Sequence, residues 1–364
     1  MKKLLLKCLS LFVLASSLWG CAAERTTIAY TVYPIGFLVN RLTGGSVTAE
    51  SVQSDTIVQR ATVRSDWQDV MRRARVFMHI GQLEPYYTMY SSDFTSMVPN
   101  QLDLSVLNAV YDFRRYTEID SDGEITYSES PYYKGDEFSL IDTDNKDLYL
   151  WMDPIAMLSM AKDIRDWLTT TYPDERMTIE DNFETLENDL INLDAQYQAL
   201  STANKVNKKQ IRFVTMTASF GNWQKTYGFQ VYPIILSKYG ALPNEAQLKL
   251  IEDRIREDDV RFIVYEQNMT DDMIELFNRI EEDLSLTRVE LSNLSSLTGT
   301  EAESGKDYLS IMYENLAVLE TMAVATENPA STGSEQTDVP GEQETSEPQE
   351  TAPADGETTE ETTG

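Results

Sequence analysis

A single histidine, His79, occurs in 364 residues. This excludes every catalytic or metal centre that needs two imidazoles. Cysteine is nearly as scarce: Cys8 and Cys21 are the two in the chain, both close to its start. A disulfide framework is therefore not what holds the remaining chain together. Cations are half as numerous as anions, 30 Lys plus Arg against 60 Asp plus Glu, for a formal charge of −30. Phosphate recognition needs a basic surface, so nucleic acid is not an expected partner. Simple electrostatic docking on anionic lipid is disfavoured for the same reason. The sequence also lacks a phosphate-binding glycine loop, a dinucleotide fingerprint and any histidine for a nucleophilic triad. Carboxylate pairs arise by chance among 60 acids, and no pattern singles one out. The expectation is a protein that is not an enzyme.

What is present begins with an export pattern. Lys2, Lys3 and Lys7 precede a short apolar run over residues 9–18, followed by Leu18-Trp19-Gly20-Cys21. The run is too short to span a bilayer. It resembles a bacterial lipoprotein signal over residues 1–21, with Cys21 as the lipidated residue and an extracytoplasmic, membrane-anchored protein as the product. At the other end, residues 327–364 hold eleven acids, no Lys or Arg, and few large apolar side chains. Such a segment cannot offset its own ordering entropy, so a disordered acidic tail is expected. With that tail and the three leader lysines set aside, residues 21–326 still carry −22.

Between the ends, two halves repeat one pattern. The first opens with a strand at 28–32, then Tyr33-Pro34 and a helix ending at Gly44-Gly45, with Ile35, Leu38, Val39 and Leu42 on one face. The second opens with a strand at 211–215 and a short helix ending near Gly228, with Phe220, Trp223 and Tyr227 on its face. Each half continues into another apolar strand, 76–80 and 262–265. Strands alternating with helices predict two α/β lobes with doubly wound parallel sheets, over 26–175 and 206–326. A long helix at 176–202 joins them. Its apolar positions Ile179, Phe183, Leu186, Leu190, Leu193, Tyr197 and Leu200 alternate steps of four and three. Asp153-Pro154 reads as the N-cap and first turn of another helix. Leu309, Met312, Leu316 and Leu319 mark a closing helix. Residues 111–147 hold eleven acids. Neither acidic motif inside them completes a twelve-residue calcium loop, so a flexible acidic insertion is expected.

The order of these elements and several motifs resemble the solute-binding lipoproteins of zinc and manganese ABC importers, over about residues 26–326. The motifs are Gly81-Gln82-Leu83-Glu84-Pro85, Leu150-Trp151-Met152-Asp153-Pro154, Phe213-Val214-Thr215 with Ala218-Ser219-Phe220-Gly221, and Tyr308-Leu309. The resemblance implies a monomer that hands a metal ion or small solute to an ABC permease. It also implies a metal between the lobes, held by three histidines and a carboxylate. Carried onto this sequence, those ligand positions fall at Gln59, Tyr149, Thr217 and Asn293, with Ser292 the other choice for the last. None is an imidazole or a carboxylate, and zinc relies on imidazole, thiolate and carboxylate. A phenol with its pKa near 10 is mostly protonated at neutral pH. No cofactor is therefore expected, and Zn²⁺ or Mn²⁺ is expected only if a rebuilt site exists. Asp55, Asp147, Glu266 and Glu290 are the nearby acids. Glu266, at the end of an apolar strand, is the best placed, since ligands bind outside the carboxyl ends of parallel strands. The alternative is a non-transporting surface lipoprotein that uses the same scaffold for adhesion or assembly. His79, inside an apolar strand, reads as a core residue rather than a ligand.

Overall fold

The computed structural model describes residues 27–54, 56–121 and 124–325. The leader, Asp55 and the acidic tail lie outside the described residues.

In the first lobe, β1 (Thr27–Tyr30) is flanked by β2 (Thr48–Ser51) and β3 (Ala74–His79), and β4 (Gln101–Asp103) lies beyond β3, all parallel. The connections are α1 (Tyr33–Thr43), α2 (Trp67–Arg73) and α3 (Pro85–Met97), and the short α4 (Leu104–Leu107) follows β4. Successive residues of a strand face opposite sides of the sheet. Ile28, Val76 and Met78 accordingly pack with α1 in one core, while Ala29 and Phe77 pack with Trp67, Tyr86 and Phe94 in another. Both faces are covered, as a parallel sheet requires.

The acidic insertion is not a flexible loop. It forms an antiparallel hairpin, β5 (Arg115–Ser121) and β6 (Glu124–Ser130), docked on the second lobe. Tyr132 and Tyr133 are buried in the second lobe's core, with Phe113 and Phe138 packed against it. Arg115 is also buried and donates to the Tyr232 hydroxyl at 2.7 Å and to Asp258 at 3.2 Å. Counting acids suggested solvation, but the tyrosines interleaved among them supply the apolar area that anchors the segment.

Helix α5 (Pro154–Thr171) starts as expected, with Asp153 capping the amides of Ile155 and Ala156. Helix α6 (Arg176–Val206) is 31 residues long, about 46 Å at ~1.5 Å per residue. It buries the expected stripe from Ile179 to Tyr197 and then continues with Ser201 and Asn204 in place of Leu200.

In the second lobe, β7 (Lys209–Thr215) pairs in parallel with β8 (Gln230–Pro233) and β9 (Phe262–Tyr265), and β9 pairs with β10 (Thr287–Glu290). The helices are α7 (Asn222–Tyr227), α8 (Glu245–Glu257), α9 (Asp271–Asp283), α10 (Gly299–Glu303) and α11 (Tyr308–Thr321). A last strand, β11 (Ala323–Ala325), runs antiparallel to the start of β7. Phe213 faces a core shared with α6, α11 and the first lobe, and Val214 faces a second core with Ile251, Ile263 and Phe277. The expected two-lobed α/β architecture, joined by one long helix, is what the chain adopts. No helix among the described residues is long and apolar enough to cross a membrane.

Candidate functional site

The carboxyl ends of β7, β9 and β10 converge on one buried carboxylate. Glu266 directly follows β9 and is fully buried. The loop after β7 brings Thr217 and Ser219, and the loop after β10 brings Asn293. The Thr217 amide donates to Glu266 Oε1 at 2.9 Å. Three side chains donate to Oε2: Thr217 Oγ1 at 2.8 Å, Ser219 Oγ at 2.8 Å and Asn293 Nδ2 at 2.9 Å. Burial pushes the Glu266 carboxyl up from its ordinary range, and these four bonds oppose that rise. Asn293 is itself fixed by Ser295, whose amide and hydroxyl both donate to its Oδ1. Its neighbour Ser292 turns away, its amide donating to Asn315 of α11. Of the two choices left by the sequence, Asn293 is thus the one that reaches this centre.

Gln59 and Tyr149 form a second pair. Gln59 sits in a 3₁₀ turn, Val58–Arg60, after β2, and Tyr149 immediately precedes the turn Leu150–Met152. Gln59 Nε2 donates to the Tyr149 hydroxyl at 2.7 Å, with both side chains buried. Gln59 Oε1 is buried without a hydrogen-bond partner. Burial first, then the charge of Glu266, raises the Tyr149 pKa well above its usual value, so the phenol stays protonated. The Tyr149 backbone is pinned from both sides, by its amide donating to Asp147 Oδ1 at 3.1 Å and by Asn222 Nδ2 donating to its carbonyl at 3.1 Å.

The turn carrying Gln59 also latches the lobes together. Ile57 inserts into the second lobe's core. Its amide donates to the Asn268 carbonyl at 3.3 Å, and Arg60 pairs with Asp272 at 2.9 Å. Gly240 lies against this turn with φ +66, where a Cβ would come within 2.8 Å of Arg60 Nε and 3.1 Å of Gln59 Cβ. Trp151 Nε1 donates to the Asn293 carbonyl at 2.7 Å, and the Tyr308 hydroxyl donates to the Trp151 carbonyl at 2.6 Å. The Leu-Trp-Met-Asp-Pro motif thereby ties Tyr149 to Asn293.

The four expected positions therefore fall into two groups, Gln59 with Tyr149 and Thr217 with Asn293, with Glu266 at the hub of the second. Ser219 was missed, although it stands two residues beyond Thr217 in the quoted motif. Of the other acids, Asp147 holds the Tyr149 backbone and Glu290 is exposed on β10. His79 is a core residue: Nδ1 donates to the Gly81 carbonyl at 3.0 Å and Nε2 accepts from the Tyr87 hydroxyl at 3.2 Å. No group of three His, Cys, Asp or Glu side chains among the described residues is disposed to hold a metal ion.

With the site assembled, comparison with known proteins gives its lineage. Residues 28–322 match the family described as "Zinc-uptake complex component A periplasmic". The chain belongs to that family. It is a family of binding proteins rather than enzymes, in agreement with the sequence. Among curated relatives, the zinc-binding lipoprotein AdcA of Streptococcus pneumoniae is 29% identical over 174 residues, covering 48% of this chain and 33% of AdcA. The chain thus spans about a third of the length of the first relatives it matches. Among solved structures, the periplasmic zinc-binding protein TroA of Treponema pallidum superposes with a TM-score of 0.63 at 14% identity, covering 82% of this chain and 99% of TroA. The laminin-binding protein Lmb of Streptococcus agalactiae, described as bifunctional with adhesin and metal-transporting activity, gives 0.63 at 18%, covering 82% and 99%. At these identities the structural likeness establishes the shared fold.

Proposed function

We propose that this chain is the extracytoplasmic solute-binding component of a zinc-type ABC uptake system, a monomer anchored through Cys21 that delivers its solute to a membrane permease. We further infer that Gln59, Tyr149, Thr217 and Asn293 no longer hold zinc or manganese and act instead through hydrogen bonds. The family membership and the relatives' names support the transport role. The observation that carries the finer reading is the saturation of Glu266 by four neutral donors from its own lobe. A divalent ion at that carboxylate would have to displace those donors, and it would find only an amide, a protonated phenol and a hydroxyl beyond it. Such a set does not compensate the dehydration of a divalent cation.

Calorimetric titration of the purified chain with zinc and with manganese, after dialysis against chelator, tests this. No saturable heat in the micromolar range is expected from either metal. One site of sub-micromolar affinity would overturn the finer reading and leave the transport role in place. A surface-adhesion role is the second reading, favoured by the fold shared with Lmb. It predicts saturable binding to immobilised laminin.

A further inference from the structure

Beside the Gln59–Tyr149 pair, a cavity of about 210 Å³ opens where the two lobes meet the end of the insertion. One water needs ~10–15 Å³ of such space, so the cavity is roomy enough for a small organic molecule. Gln82 and Thr88 line it from the first lobe, Asp144 from the returning insertion, and Lys238 from the second lobe. Leu83 and Leu148 supply an apolar wall.

The charges here are unusual in being left open. Asp144 is half-buried, yet it accepts no hydrogen bond and makes no ion pair among the described residues. Lys238 faces the same cavity and lies within electrostatic reach of Asp144. Its ammonium is instead 3.0 Å from Asp142, in a bridge whose two side chains are 33% and 58% exposed. An exposed bridge of that kind contributes little and is readily exchanged. The cavity thus offers one carboxylate without a protein partner and two exchangeable cations, Lys238 and Lys146, the latter bridged to the half-exposed Asp112, with an amide, a hydroxyl and an apolar wall between them. A bare metal ion would find a single carboxylate. A simple anion would meet Asp144.

We propose that this cavity binds a small zwitterion of the α-amino-acid type, its ammonium on Asp144, its carboxylate on Lys238 and its side chain against Leu83 and Leu148. The assignment rests on the solute-binding reading above and names the class of solute.

Calorimetry on the full-length chain with glycine, L-alanine and L-serine tests it, using ethylamine and propionate as single-charge analogues of alanine. At least one amino acid binds saturably at one site, and each analogue of alanine binds at least tenfold more weakly than alanine. Asp144→Asn, which removes no hydrogen bond and lifts the cost of a half-buried charge, does not lower the melting temperature, weakens alanine at least tenfold and binds propionate no more weakly than the parent. Lys238→Gln weakens propionate and alanine but leaves ethylamine unchanged. The proposal is overturned if all three amino acids fail to bind at millimolar concentration, or if Asp144→Asn binds alanine as the parent does. Zinc, titrated in parallel, separates the two readings. Zinc binding without amino-acid binding removes this solute class and leaves the transport role standing.

Discussion

At Glu266, four neutral donors stand where a cation would otherwise offset the charge. Three of them converge on a single oxygen, so the network is specific for an acceptor with no hydrogens of its own. Glu266→Gln would turn an amide NH₂ or a single carbonyl toward that set and leave at least one buried donor unpaired. A loss of about 1–3 kcal/mol in urea unfolding is expected, and an unchanged midpoint would contradict the network's role. The same scale explains what the sequence could and could not disclose. Glu266 was identifiable because it ends an apolar strand, a position where parallel sheets present ligand groups. Thr217 was placed by an adjacent motif, and Asn293 only by its position in the loop after a late strand, with Ser292 left as the other choice. That both of them bond to Glu266, with Ser219 as a third hydroxyl, depends on three loops far apart in sequence, which residue spacing does not reveal.

Among the elements, the hairpin β5–β6 departs furthest from expectation. Composition described 111–147 as a solvated acidic loop, yet Tyr132 and Tyr133 are buried and Arg115 reaches Asp258 across the junction. Period-two alternation was obscured because an acid, Glu118, shares the inward face with buried Tyr116 and is paired there with Lys205. Tyr132→Ala is expected to destabilise the fold by about 3–5 kcal/mol, as large-to-small core changes do. A flexible loop would tolerate it without loss. The interlobe turn behaves differently. Gly240→Ala places a methyl group on Arg60 and Gln59 at a φ that disfavours any Cβ. It should raise amide hydrogen exchange in residues 57–60 while the first lobe's sheet keeps its protection. The long helix, by contrast, was legible almost residue by residue. Six of the seven predicted stripe positions, Ile179 to Tyr197, are buried on one face, and only Leu200 gives way to Ser201.

For the whole molecule, buried acids set the pH response. Burial pushes Glu84 and Asp147 up to about 7, and Asp144 up to about 6. Glu84 is fully buried, and although the Thr31 hydroxyl lies beside it, no well-directed hydrogen bond joins them. These groups bind protons more readily folded than unfolded. Their contribution is therefore complete below pH 4 and is lost as pH rises toward 7. Asp258 works in the opposite sense. Burial would raise it, but hydrogen bonds from Tyr232 and Arg254 hold it below its ordinary value, so its contribution disappears in strong acid. The melting temperature should accordingly be higher at pH 5 than at pH 8, and Glu84→Gln combined with Asp147→Asn should flatten that slope. A melting temperature that rises from pH 5 to pH 8 would show that these carboxyls are not the controlling groups.

The central claim is that a scaffold of the zinc-uptake family has exchanged its metal for a hydrogen-bonded cleft. The most direct measurement is a zinc titration of the parent chain beside a variant carrying Gln59→His, Tyr149→His, Thr217→His and Asn293→Asp. The account predicts no saturable zinc binding by the parent and one new site in the variant. Sub-micromolar zinc binding by the parent would contradict it.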